Sequence, residues 1–366
     1  MGYKQYSVMK GNYNKIRING KSYNREIISE LFISQPIPVT MERENRKVFD
    51  FVMEWLDENE AITVSTSGST GKPKKIALLK KNMIQSAILT SQYLGLKKNM
   101  TAMLCMPVNY IAGKMMIVRA FVTGYNLITA PPSANPFGQL TRPVNFTALT
   151  PYQLFHSFSD IKRLKIDKIL VGGGEISADL EKRANDLSTE LFATYGMTET
   201  YSHVALRKIN GPDSTEIYSA LDGISFYVDN RDCLVIHAPM LAENDLVTND
   251  MVGLIDKHHF RWLGRYDNVI NTGGIKVFPE TIERKISGLI TVPFFISSVK
   301  DEELNQKVVL VIEGKPFEKD YESQLMEQIS NRLLRYEVPK SIRYTDKFLY
   351  SKSGKILRTK SFAIKL

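Results

Sequence analysis

Between Thr101 and Ala193 short apolar runs alternate with segments of helical spacing, and few folds satisfy that alternation. The runs at 101–106, 127–130, 146–149, 168–171 and 190–193 are four to six residues long, the length of buried strands. Between them, 113–122, a segment opening at Pro151, and 178–187 read as helices. Strands separated by helices predict a mostly parallel sheet in a layered α/β core. Ligands in such sheets sit beyond the carboxyl ends of the strands.

The chain's 366 residues and 43% hydrophobic content are enough for a buried core and about two domains. Ahead of the alternation, 23–31, 42–58 and 82–94 read as helices. From about Ile217 the pattern shifts to short strands and turns (224–228, 234–237), consistent with a small β subdomain. Beyond Asp267 it becomes a compact α+β unit: helix 279–286, strands 294–299 and 308–312, helix 321–334 and strand 341–344. The expected division is therefore 1–264 and 265–366.

No run is long and apolar enough to span a bilayer, and the amino terminus lacks the apolar core of a secretory signal. Two cysteines, Cys105 and Cys233, lie in apolar runs, which predicts buried thiols in a reducing cytoplasm. The net charge of +9 suits polyanionic partners. Its lysines are scattered rather than clustered among aromatics, which argues against a nucleic-acid module.

Thr66, Ser67, Gly68, Ser69, Thr70, Gly71, Lys72, Pro73 and Lys74 form a loop after the strand-like run 61–64. Glycines admit an anion close to the backbone, hydroxyls and free N–H groups donate to it, and lysines neutralise it. That is the chemistry of a polyphosphate cradle, although the same residues would also make a solvated turn. It is not a Walker A loop: Thr66 stands where that motif needs Gly, and Pro73 follows Lys72.

The loop resembles the phosphate-binding signature of adenylate-forming enzymes, the family of acyl-CoA synthetases, luciferases and peptide-synthetase adenylation domains. Three further stretches resemble the family in the same order: Thr194-Tyr195-Gly196-Met197-Thr198-Glu199-Thr200, Gly264-Arg265-Tyr266-Asp267, and Ser353-Gly354-Lys355-Ile356-Leu357-Arg358. The resemblance implies ATP, Mg²⁺ and coenzyme A as reactants. A carboxylate would attack the α-phosphate to give acyl-AMP and pyrophosphate, and a thiol would then displace AMP. It also implies roles. The loop, Thr70 and Lys74 above all, would hold the β- and γ-phosphates. Tyr195 would stack on adenine beside the Gly172-Gly173-Gly174-Glu175 turn, Thr198 would bind the α-phosphate, and Glu199 would bind Mg²⁺. Asp250, in Thr248-Asn249-Asp250 with Asn where the family has Gly, would hold the ribose with Arg265. Asp267 would be the hinge, Gly273, Gly274 and Lys276 would line the thiol channel, and Lys355 would be the catalytic lysine.

The acid pocket is expected at Tyr110, Arg119 and His203. Tyr110 stands where relatives carry a histidine. Lys114 and Arg119 fall on an apolar helix, where a cation would meet a second carboxylate, as in o-succinylbenzoate, or form a structural ion pair. His203 would touch substrate or be a satisfied polar residue. The short chain, the 110–119 segment and the run from Tyr201 to Arg207 resemble the o-succinylbenzoate-activating branch. Another acyl- or aryl-CoA ligase, or a non-catalytic nucleotide-binding relative, would share much of this pattern. Monomer and homodimer are equally compatible with it.

Overall fold

The computed structural model describes residues 13–34, 43–66, 74–138, 140–350 and 356–363. The runs read as strands form the parallel half of a large sheet. Its order in that half is Glu190–Gly196, Lys168–Val171, Phe146–Leu149, Thr101–Leu104, Asn126–Thr129 and Ile16–Ile18, each parallel to its neighbour. Successive side chains point to opposite faces. Ala102 and Leu104 enter one core and Met103 and Cys105 the other; Leu170 and Phe192 separate in the same way from Ile169, Val171, Leu191 and Ala193.

Helices cover both faces. Arg43–Leu56, Lys80–Leu94 and Ile111–Thr123 pack on the first core, whereas Pro151–His156, Phe158–Leu164 and Ala178–Ala184 pack on the second. Gly95 and Gly124 close the Lys80–Leu94 and Ile111–Thr123 helices in the left-handed conformation. The helix ends themselves differ from the sequence reading. The Lys80 helix starts two residues before position 82, and the Ile111 helix starts two before 113, because neither uses a side-chain cap that would mark its start.

At His203–Lys208 the sheet turns antiparallel, and the β-rich segment continues it through Ile217–Ala220, His259–Arg265, Leu246–Asp256, Cys233–His237 and Ser225–Val228. A second sheet begins at Ile270 with Ile270–Thr272 and Ile275–Val277, and continues with Phe294–Asp301, Asn305–Glu313 and Ile342–Thr345. Pro279–Ile286 and Lys319–Ser330 bury Ile282, Ile286, Leu325 and Ile329 against this sheet. The two sheets therefore join through the short turn Tyr266–Asn268.

One expectation about placement fails. The strand leading into the Ser/Gly/Lys loop, Ala61–Thr66, is not in the parallel sheet. It pairs antiparallel with Lys74–Leu79 as a separate hairpin, from Ala61 opposite Leu79 to Thr66 opposite Lys74. Thr66 and Lys74 thus end the two strands of one hairpin, rather than a parallel strand and a helix. The triple-glycine turn and the Tyr195 segment do sit at the carboxyl ends of parallel strands.

Candidate active site

Three sequence-separated candidates meet at Asp250. Antiparallel register puts Asp250 opposite Arg265, and Tyr195 arrives from the end of the last parallel strand. The Tyr195 hydroxyl donates to Asp250 Oδ2 at 2.8 Å. On Oδ1, Trp262 Nε1 donates at 3.3 Å and Arg265 Nη1 at 3.4 Å. The Thr248 hydroxyl accepts from the Asp250 N–H at 3.0 Å and donates to the Leu234 carbonyl at 2.8 Å, which fixes the backbone beneath. Burial, with Asp250's charge as the next cause, raises the Tyr195 phenol well above its usual range, so it stays a donor. Its ring packs edge-on to Phe260 and Tyr218 at 5.0 and 5.9 Å. The two contacts on Oδ1 are long, so the carboxylate keeps acceptor capacity for vicinal hydroxyls.

Asn249 stands where the family has Gly, yet the position needs no left-handed backbone. It lies within the strand Leu246–Asp256 and is absent from the positive-φ residues among those described. Its side chain makes contacts that Gly could not. Oδ1 accepts from Arg231 Nη1 at 3.0 Å, and Nδ2 donates to Asp267 Oδ2 at 3.3 Å. Asp267 Oδ2 also lies 3.5 Å from Arg265 Nη2.

The glycines answer first to packing. A Cβ on Gly172 would lie 2.2 Å from Thr194 Oγ1, and one on Gly196 would lie 2.3 Å from the Ser202 carbonyl oxygen across the strand pair. Gly173 has φ +81° at the turn, whereas Gly174 has room. Glu175 follows, exposed, beside the second sheet's helix Pro279–Ile286. Crowding on that side, with Glu283 and Glu280 adding like charge, pushes its carboxyl above the usual range. Thr198 and Glu199 occupy a short 3₁₀ turn between Gly196 and the left-handed Tyr201. Glu199 is exposed, and among the described residues neither side chain is tied into a hydrogen bond or ion pair. An exposed, unengaged carboxylate fits a hard divalent cation.

The acid-pocket candidates divide. Arg119 is 2% exposed on the Ile111 helix. Its Nη2 donates to Ser202 Oγ at 2.5 Å, and Nη1 lies 3.9 Å from Met116 Sδ. Its Nε is buried without a partner. Burial lowers its pKa to about 10, and among the described residues no carboxylate lies within ion-pair distance to oppose that. The structural ion pair goes instead to Lys114, whose Nζ lies 3.2 Å from Glu54 and 4.1 Å from the Phe51 ring centroid. His203, 6% exposed, joins Arg119 through Ser202, its Nδ1 lying 3.2 Å from Ser202 Oγ. Tyr110 is 49% exposed and caps the amino end of the same helix, about 13 Å from Arg119 along the axis.

The thiol-channel candidates lie in the second sheet's first hairpin. Gly273 and Gly274 adopt φ +57° and +81° at its turn, and Lys276 Nζ pairs with Asp232 Oδ2 at 2.9 Å across the junction of the sheets. Arg284 reaches Glu216 across the same junction. Ser67, Gly68, Ser69, Thr70, Gly71 and Lys355 lie outside the described residues, and Thr66 and Lys74 are described only as strand ends. Sequence reasoning missed Trp262 and Ser202 as individuals. Neither carried a local signal: Trp262 meets Asp250 only through the register of neighbouring strands, and Ser202 meets Arg119 only through the fold.

The family model described as AMP-binding enzyme matches residues 20–231. The 2-succinylbenzoate–CoA ligase of Lactococcus lactis is 26% identical over 90% of this chain and 74% of its own length. That of Escherichia coli is 25% identical over 75% of this chain and 62% of its own. Among solved structures, an acyl-CoA synthetase (AMP-forming)/AMP-acid ligase II-like protein from Dyadobacter fermentans is 33% identical, with a TM-score of 0.60 over 93% of this chain and 98% of that one. The Bacillus subtilis o-succinylbenzoate CoA synthetase, in complex with its acyl-adenylate intermediate, shares the fold at 18% identity, with a TM-score of 0.72 over 85% and 73% of the two chains.

Proposed function

Because the chain belongs to the AMP-binding enzyme family, we propose that it is an ATP-dependent acid–CoA ligase whose acid is o-succinylbenzoate, acting in menaquinone biosynthesis in the cytoplasm. In the first half-reaction an acid oxygen forms a bond to the α-phosphorus, and the bond to the bridging oxygen breaks to release pyrophosphate. In the second, the coenzyme A sulfur bonds the acyl carbon and AMP leaves with the electron pair of the broken C–O bond. Both steps bring anions together, so positioned cations and dipoles carry most of the catalysis.

Asp250, held by Tyr195, Trp262 and Arg265, would receive the ribose, with the Tyr195 ring and the Gly172–Gly174 turn beside the base. Thr198 and the loop from Thr66 to Lys74 would hold phosphate. Magnesium, when bound, offsets phosphate charge, and Glu199 is the ligand this chain offers it. Lys355 would bridge phosphate and acid carboxylate in the first half-reaction. Residues 1–264 would be the adenylation domain and 265–366 a lid turning at Asp267, which would bring Gly273, Gly274 and Lys276 to the thiol path. Among the described residues no helix is long and apolar enough to cross a membrane.

The observation that carries the choice of acid is Arg119. A guanidinium stripped of water, with a free Nε and no carboxylate within reach among the described residues, favours a ligand that brings its own carboxylate. The test is AMP and pyrophosphate release with ATP, Mg²⁺, coenzyme A and a panel of o-succinylbenzoate, benzoate and fatty acids. AMP formed with o-succinylbenzoate alone, and lost in Lys355→Ala, supports the reading. AMP with another acid keeps the ligase and discards the pathway, and no AMP with any acid discards the ligase.

A further inference from the structure

The side chains behind Arg119 form a hydrogen-bonded chain whose direction follows from the Thr90 hydroxyl donating to Ser86. Thr90 Oγ1 lies 3.0 Å from the Ser86 carbonyl oxygen one turn back on its helix, and donates its only proton there. Towards His203 Nε2, 3.0 Å away, it can then only accept. Nε2 is therefore the protonated nitrogen, and a neutral imidazole has just one. Burial, with the charge of Arg119 as the second cause, holds the His203 pKa well below its usual range, so the ring is neutral. Nδ1 is consequently bare and accepts the Ser202 hydroxyl proton at 3.2 Å. That leaves the Ser202 oxygen lone pairs turned to Arg119 Nη2 at 2.5 Å.

Resting on the ligase reading above, we propose that Thr90, His203 and Ser202 form a directional hydrogen-bond relay that aims the Arg119 guanidinium at the second carboxylate of the acid. Ser202 and His203 are then positioning residues for acid selection, and His203 neither touches substrate nor moves a proton. Both ring nitrogens are occupied and the ring is 6% exposed, so it has no free lone pair for a thiol or a water. Arg119 spends one edge on Ser202 and keeps Nε free, so the relay fixes which edge a carboxylate meets. Without the serine acceptor, nothing described holds Nη2, and the long side chain regains the rotamers that binding would have to remove.

The experiment compares o-succinylbenzoate with its analogue methylated on the succinyl carboxylate, in full-length wild type, Ser202→Ala, His203→Asn and His203→Leu. Expected for Ser202→Ala is a drop of about tenfold in the kcat/KM preference for the diacid, through its KM, as for a lost bond to a charged group. Parameters for the ester and for ATP stay within about twofold. His203→Asn keeps an acceptor near the Nδ1 position and retains the preference, whereas His203→Leu loses it as Ser202→Ala does. Thermal unfolding checks that each variant folds, and the His203 pair decides the question if Ser202→Ala does not. An unchanged preference in Ser202→Ala or His203→Leu overturns the relay, as does an equal loss towards diacid, ester and ATP. A wild type without any diacid preference overturns the acid reading instead.

Discussion

Replacing Arg119 with methionine removes a charge that the fold holds at a cost and that, on the proposed reading, the second carboxylate of the acid repays. The guanidinium pKa falls from 12.5 to about 10 through burial, and at about 1.4 kcal/mol per unit the charged form is disfavoured by about 3 kcal/mol. Arg119→Met fills a similar volume and removes that penalty. It also removes the bond to Ser202, worth about 1.5–3 kcal/mol for a charged donor. Without acid the variant should therefore lie between equal stability and about 1.5 kcal/mol above wild type, by the difference of those two figures. With acid at a hundred times its Kd the wild type gains about 2.7 kcal/mol, whereas the variant, its diacid affinity reduced, gains far less. The order of thermal midpoints inverts on adding o-succinylbenzoate. Differential scanning calorimetry with and without acid reads both halves. A variant about 3 kcal/mol less stable without acid would show that a buried ion pair had been broken, and equal acid-induced shifts in both proteins would show that Arg119 meets no carboxylate. Either result refutes the reasoning.

Asp250→Asn leaves the Tyr195, Trp262 and Arg265 donors facing an amide and should raise the KM for ATP about tenfold or more in pyrophosphate exchange. Gly172→Ala drives a methyl towards Thr194 Oγ1 and should destabilise by about 1–3 kcal/mol in urea unfolding, with partial recovery in a double variant carrying Thr194→Ala. His203 is neutral when folded, its pKa lowered below 6.5, whereas the unfolded histidine takes a proton below 6.5. Its share of stability is therefore present above pH 6.5 and lost as pH falls below it, and urea midpoints measured downwards from pH 7.5 should fall less steeply in His203→Asn. Lys276→Ala should slow thioester formation about tenfold while pyrophosphate exchange changes less than about twofold, the mark of an interaction used in one half-reaction.

Local chemistry made part of this legible in the sequence. Apolar runs of strand length predicted the parallel strands, because that signal acts within a few residues. Pairing between distant strands left no such trace. Nothing near Lys74 announces that 74–79 folds back on 61–66, since lysines at a strand start look like loop. The meeting of Asp250 with Tyr195 was implied by family motifs, but Trp262 joins them only through the register of a hairpin. Ser202 is one serine among many until the sheet reversal at His203 sets it between Arg119 and the imidazole.

The two charged groups at the heart of the site are prepared in opposite ways. Asp250 is 8% exposed yet has three side-chain donors and an oriented backbone, so on the proposed reading a nucleotide would meet a carboxylate already fixed in place. Arg119 is 2% exposed with an unmatched Nε, so its desolvation is met before any ligand arrives and its best partner is missing. The first arrangement lowers the ordering cost of binding ATP. The second makes an acid lacking a second carboxylate leave a buried charge unsatisfied, which discriminates far more strongly than a poor fit does. Neighbouring side chains must also give way before the acid reaches Arg119, so acid binding should follow a slower, closure-dependent course than ATP binding. Stopped-flow mixing would read this directly: ATP association in one phase, and diacid association with a concentration-independent limit that Arg119→Met abolishes.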